Sequence, residues 1–139
     1  MVDTNVFLYA RGSDHPYREP CRRLLDAVGR GRFRLDASTE LIQEFLHILL
    51  RRGISRDQAL EEAGEVRRLC RVTAFDNQVL TMALTMIRKY PGLGVRDAVH
   101  AATAVVAGID KILSADQVFD GLDELERVDP LDSLDLLKP

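Results

Sequence analysis

Five short runs of β character, around Met1 to Asp3, Phe33 to Ala37, Arg71 to Phe75, Lys111 to Ser114 and Glu126 to Val128, are separated by longer stretches with helical spacing. Parallel strands need a crossover of roughly a dozen residues, and a helix supplies it with right-handed geometry. The alternation therefore predicts an α/β fold with a central, mostly parallel sheet covered by helices. No repeat, low-complexity tract or linker interrupts it, and 139 residues at 46% hydrophobic can bury one core, so a single domain over 1–139 is expected.

The helical stretches carry their own punctuation. Cys21, Leu24, Leu25 and Val28 share one face of a helix from Pro20 to Val28, which Gly29 and Gly31 end. Leu41, Phe45, Ile48 and Leu49 define a helix from about Ser38 to Arg52, stopped by Gly53. Ser55 with Gln58 has the form of a capping box for a helix toward Leu69, and Asp76 fits the N-cap of one reaching Lys89. Pro91, Gly92 and Gly94 form a turn before an alanine-rich helix that Gly108 ends as a left-handed cap. Its small residues, Ala98, Ala101, Ala102 and Ala104, permit close approach to a sheet.

The net charge of −3 is unevenly made: of 19 Lys and Arg residues only Lys89, Lys111 and Lys138 are lysines, leaving 16 arginines. Arginine forks match phosphate oxygens, so Arg18, Arg22, Arg23, Arg30, Arg32 and Arg34 suit a polyanion as well as a solvated helix face. Cys21 and Cys70 lack metal or disulfide-framework spacing and are expected as free thiols in a reducing compartment. No charged-then-apolar leader opens the chain, and no apolar run approaches the roughly 18 residues of a membrane span. A soluble, cytoplasmic protein is expected. Three Tyr, five Phe and no Trp are little material for base stacking, so any nucleic-acid binding is expected to work through the backbone.

Four acids, Asp3, Glu44, Asp97 and Asp116, each stand where an apolar segment turns polar. Asp3 and Asp116 follow β-like runs, and functional groups in parallel sheets gather beyond the carboxyl ends of strands. At about 100° per residue Glu44 lies at the edge of the Leu41, Phe45 and Ile48 face, and Asp97 lies beside Ala101 and Val105. Glu40 shares nearly the same edge as Glu44, so helix geometry leaves that choice open. Singly, Asp3 and Asp97 also fit helix N-caps and Asp116 a turn. Clustered carboxylates are costly unless a cation offsets their repulsion, and hard oxygen donors favour Mg²⁺ or Mn²⁺, as one ion or two.

The motifs Asp3-Thr4-Asn5-Val6, the helix start from Ser38 to Glu44, Arg96-Asp97-Ala98-Val99-His100-Ala101-Ala102 and Ser114-Ala115-Asp116-Gln117-Val118-Phe119-Asp120 resemble a PIN domain, closest to the VapC-like toxins of toxin-antitoxin modules. The resemblance covers essentially the whole chain. It implies a three-layer α/β/α fold with a parallel sheet of about five strands, and a Mg²⁺- or Mn²⁺-dependent endoribonuclease leaving a 5′-phosphate and a 3′-hydroxyl. It implies Asp3, Glu44, Asp97 and Asp116 as the catalytic acids, with Asp3, Asp97 and Asp116 on the metal and Glu44 assisting through water. Asp120 matches a further acid, and Asn5 and Ser114 match polar positions that orient the acids by hydrogen bonds. A homodimer, an RNA substrate and a small antitoxin whose tail blocks the acidic groove are implied as partners.

One departure is that only Met1 and Val2 precede Asp3, shorter than the usual strand of roughly five or six residues. Either the start lies upstream or neighbouring strands cover two residues. The pairs Glu44 with His47 and Asp97 with His100 echo half of a di-iron bundle site, but the β-like runs oppose a pure bundle. His100 is read as a hydrogen-bonding residue beside the site, His47 as a helix-face residue, and His15 as a loop residue. Arg96 suits a substrate phosphate, an acid or a surface ion pair. Arg51, Arg52, Arg56, Arg67, Arg68 and Arg71 suit solvated positions or the flanks of an RNA groove. A noncatalytic RNA-binding or interaction module, and a metal-dependent nuclease or phosphohydrolase with another substrate, are the competing functions.

Overall fold

The computed structural model describes residues 1–133, so the last six residues of the expected 1–139 domain lie outside the described residues. The order is α1 (Thr4–Arg11), α2 (Arg18–Gly29), β1 (Leu35–Ser38), α3 (Thr39–Arg51), α4 (Arg56–Leu69), β2 (Cys70–Thr73), α5 (Asn77–Lys89), α6 (Val95–Val106), β3 (Lys111–Leu113), a 3₁₀ turn (Gln117–Phe119) and β4 (Glu126–Val128). The alternation expected from the sequence is present as a mixed α/β fold. The apolar segment after Asp3 is helical, not extended.

β1 pairs in parallel with β2, and β3 with β4. Between the pairs lies Val2, which forms a parallel bridge to Leu113 while its N–H donates to the Asp36 carbonyl at 2.7 Å. The expected first strand is thus reduced to one bridge. The backbone of this short segment is met from both sides: besides Val2 N to Asp36 O, Leu113 N donates to Met1 O at 2.8 Å, Asp3 N to Leu113 O at 3.0 Å, and the Met1 ammonium to Lys111 O at 2.7 Å. The other strands differ from expectation only at their ends.

Alternation along these segments divides the core. Val2 and Leu113 join a cluster with Val6, Leu24, Leu41, Phe45 and Leu49, whereas Met1 and Ile112 join one with Val79, Met86, Ala98, Ala101 and Phe119. Ala98, Ala101, Ala102 and Ala104 are all fully buried, as expected for a helix approaching the sheet closely. Each fully buried Leu or Ile contributes roughly 1.5–3 kcal/mol of burial free energy, which keeps the strand ends in fixed relation to α3 and α6.

The caps follow the sequence. Ser38 Oγ accepts from Leu41 N, Asp76 Oδ1 from Gln78 N and Val79 N, and Gly108 takes the left-handed conformation at φ 70°. Ser55 Oγ accepts from Gln58 N at 3.3 Å, but the Gln58 amide donates to Glu62 instead of returning to Ser55, so only half the capping box forms. Among the described residues no helix is long and apolar enough to cross a membrane. Cys21 and Cys70 are free, and burial pushes both thiols up to about 12.

Candidate active site

Asp3 occupies the N-cap position of α1 with extended backbone (φ −95°, ψ 153°), yet its side chain makes no capping hydrogen bond. Its Oδ2 instead accepts from Asn5 Nδ2 at 2.5 Å and from Ser114 Oγ at 2.6 Å. Ser114, fully buried at the end of β3, also accepts from Asn5 Nδ2 at 2.9 Å and from Asp116 N at 3.0 Å. One hydroxyl thus fixes the Asp3 rotamer and the backbone entering Asp116. Burial raises the Asp3 carboxyl above its ordinary value, with the Ser114 hydrogen bond opposing.

Asp97 lies in the first turn of α6, half-buried, where the helix dipole favours negative charge. Its carboxyl is nevertheless raised, first by desolvation and then by the charges of Asp3 and Asp116, with Glu44 adding a smaller push. The four acids therefore share one electrostatic neighbourhood. Gly94 makes room for the Asp97 head group: a Cβ there would lie 3.0 Å from Oδ2. Asp116 is exposed and caps the 3₁₀ turn through Oδ1 to Val118 N at 3.0 Å.

Glu44 and Glu40 separate cleanly. Glu44 accepts from Thr4 Oγ1 at 2.7 Å, from Arg96 Nη1 at 3.1 Å and from His100 Nε2 at 3.3 Å. Glu40 receives the Thr39 hydroxyl at 3.0 Å. Hydrogen bonds from His100 and Thr4, with the Arg96 charge, outweigh burial and hold Glu44 down to about 2. An ionised carboxylate only accepts, so His100 Nε2 carries the proton it donates. His100 is buried, and its Nδ1 lies 2.9 Å from Ser38 Oγ, the cap of α3.

Asp120 is held differently. Arg127 Nε and Nη2 clamp its two oxygens at 2.7 and 3.1 Å, while Nη1 reaches Ser114 O at 3.1 Å and Asp129 Oδ2 at 2.9 Å. Its carboxylate is engaged with that guanidinium and braces the Ser114 backbone. Arg127 and Thr4 are not singled out by sequence. Thr4 had a usable signal in its position beside Asp3, whereas Arg127 sits in a short strand with no motif around it.

Hard oxygen donors that repel one another, with Asp3 and Asp97 both raised first by burial and Asp97 further by its neighbours' charges, form a donor set that suits a divalent cation. Among the described residues no three His, Cys, Asp or Glu side chains form a preformed metal cage. Mg²⁺ needs none: it binds through one or two carboxylates and keeps several waters.

The PIN domain family matches residues 1–125. Ribonuclease VapC7 of Mycobacterium tuberculosis is 36% identical over 131 residues, covering 94% of this chain and 90% of that protein. Ribonuclease VapC23 of the same species is 37% identical over 117 residues, with 84% and 91% covered. A toxin-antitoxin complex from Klebsiella pneumoniae has the same fold at TM-score 0.68 and 14% identity, over 93% of this chain and 95% of that one. VapBC2 from Rickettsia felis, solved with a DNA fragment from its promoter, matches at TM-score 0.67 and 14% identity, over 93% and 96%. Sequence and fold agree: the chain belongs to the PIN domain family and is homologous to mycobacterial VapC ribonucleases over most of its length.

Proposed function

We propose that this chain is a VapC-like endoribonuclease, the toxin of a toxin-antitoxin pair, working on RNA in the cytoplasm as a single domain over 1–139. The observation that carries the reading is the shared electrostatic neighbourhood of Asp3, Glu44, Asp97 and Asp116 at the strand ends of a chain 36% identical to a VapC ribonuclease. The array β2, β1, Val2, β3 and β4 supports a three-layer α/β/α arrangement with five parallel segments. Relatives solved as toxin-antitoxin complexes support a small antitoxin as partner, and a homodimer is the assembly we propose.

In this reading Asp3, Asp97 and Asp116 would hold Mg²⁺ or Mn²⁺, which when bound would supply neutralisation of phosphodiester charge and a lowered pKa for the attacking water. Asn5 and Ser114 keep the Asp3 head group in one rotamer. Glu44, anchored by Thr4, Arg96 and His100, stays ionised and orients the water by accepting its hydrogen bond. Hydrolysis breaks the bond from phosphorus to the 3′ oxygen, which takes up a proton and leaves a 3′-hydroxyl and a 5′-phosphate. Asp120 acts through Arg127 as a brace.

Purified protein incubated with RNA, DNA and small phosphate esters, with and without Mg²⁺ or Mn²⁺, tests the proposal. Metal-dependent RNA cleavage, lost in Asp97→Asn, is expected. Cleavage undiminished in Asp97→Asn, or turnover of esters or DNA alone, overturns it.

A further inference from the structure

We propose that Tyr9, His15 and Tyr17, with Arg52, form a subsite for one nucleobase and its phosphate in single-stranded RNA, beside the acids. The inference rests on the ribonuclease reading and names how that substrate is gripped.

The chain is poor in aromatic residues, yet three rings gather here. Tyr9 and His15 stack with centroids 4.5 Å apart and planes at 23°, His15 and Tyr17 lie 5.7 Å apart at 15°, and Tyr9 and Tyr17 lie 5.1 Å apart at 31°. His15 is exposed but held: Tyr17 N donates to its Nδ1 at 3.2 Å, and Arg18 N donates to its carbonyl at 2.9 Å. Tyr17 is anchored in turn by its hydroxyl, which donates to Asp129 Oδ2 at 2.9 Å. A surface ring fixed before binding loses little rotamer entropy when a base stacks on it. With Nδ1 accepting, the neutral imidazole keeps its proton on Nε2 as a donor facing outward from that bond.

Tyr9 and His15, which Tyr17 backs from outside it, line a cavity of about 410 Å³ together with Asn5, Ser13, Asp14 and Arg52. Asn5 is the residue that bonds Asp3 and Ser114, so this cavity adjoins the acids directly. Arg52 also lines a second cavity with His47, Arg51 and Arg96, and Arg96 and His47 in turn border a third with Glu44 and His100. Shared residues thus join the three into one track. Among the described residues no carboxylate pairs with Arg51 or Arg52, in contrast to Arg11, Arg71, Arg96 and Arg127. Free arginines offset the repulsion between an acid cluster and a polyanion, while a ring platform takes a base of any identity. Ser13 and Asp14 offer acceptors to a base edge.

The test uses the full chain carrying Asp97→Asn and a fluorescent, mixed-sequence single-stranded RNA, intact or with an abasic site at one position at a time, titrated by anisotropy. Adding His15→Ala is expected to weaken binding by about five- to a hundredfold, the range of one lost base stack. His15→Phe retains the plane and is expected to bind as the parent does. One abasic position should weaken the parent and cost nothing further in His15→Ala. Arg52→Ala should lower the salt slope of binding by about one. Unchanged affinity in His15→Ala, additive abasic and His15 penalties, or no RNA binding by the Asp97→Asn protein overturns the subsite. Cleavage by the protein with Asp97 intact separates the two readings. Normal KM in His15→Ala removes the subsite and leaves the ribonuclease, whereas His15-dependent binding without cleavage removes the ribonuclease and leaves the subsite.

Discussion

Ser114 Oγ donates to Asp3 Oδ2 at 2.6 Å across 111 residues of sequence, and the same oxygen accepts from Asp116 N. Ser114→Ala removes the donor to Asp3 and strips Asn5 and Asp116 N of an acceptor inside a buried pocket. Cleavage is expected to fall about 10–100-fold, as for other supports of metal-site ligands. Stability should fall by about 1–3 kcal/mol, the cost of unmet buried polar groups. Steady-state kinetics and urea denaturation check both, and unchanged kinetics would falsify the orienting role.

Asp3 and Asp97 both have raised carboxyl pKa values, so their ionisation opposes folding at neutral pH. The sign follows: the folded state holds these protons more tightly, the penalty is complete above the raised folded values, and it is relieved as pH falls toward the ordinary 3.8. Asp97→Asn should therefore raise Tm at pH 7 while abolishing cleavage. Mg²⁺ or Mn²⁺ should raise Tm of the unaltered protein, and chelation should reverse it. The cation-induced shift should shrink in Asp97→Asn, and an equal shift in both would remove Asp97 from the metal site.

Glu44 titrates in the opposite sense. Its carboxyl is lowered from the ordinary 4.5 to about 2, so the stability it contributes is present above 4.5 and is lost as pH falls through about 2. Glu44→Gln is expected to cost on the order of 1–3 kcal/mol at neutral pH by leaving its donors poorly met. It should also flatten the acid limb of stability between those two values. Urea midpoints measured across that range decide it, and an acid limb as steep as that of the unaltered protein counts against the pairing with His100 and Thr4.

Gly94 has φ −68° and ψ 159°, a conformation open to any residue, so Gly94→Ala carries no backbone strain. Its added Cβ would meet Asp97 Oδ2 at 3.0 Å and move the carboxylate. Cleavage should drop about tenfold or more while stability changes by less than about 1 kcal/mol, the signature of a misplaced reacting group. Parallel fall of Tm and activity would instead mark a folding defect.

The Tyr9, His15 and Tyr17 stack shows where sequence reading stops. A low aromatic count points to binding through the backbone, and composition records how many rings exist but not where they meet. Tyr9 comes from α1, His15 from the following turn and Tyr17 from the N-cap position of α2, so their assembly depends on how that turn closes. Arg127 is similar: its clamp on Asp120 needs β4 beside β3 and the 3₁₀ turn folded back over it.

Alternating runs, capping residues and the edge positions of the acids on their helices are written in the sequence, because local periodicity and cap chemistry act over a few residues. They determined an α/β fold with Asp3 and Asp116 at strand ends, and they named the candidate acids. The meeting of Glu44, and not Glu40, with Thr4, Arg96 and His100, the turning of Asp3 from its helix to Ser114, and the engagement of Asp120 by Arg127 were decided only by tertiary structure. Glu44 and Glu40 differ little on one helix, but Thr4, Arg96 and His100 lie 40, 52 and 56 residues from Glu44. A carboxylate goes where donors compensate its desolvation, and those donors are set by packing between distant elements.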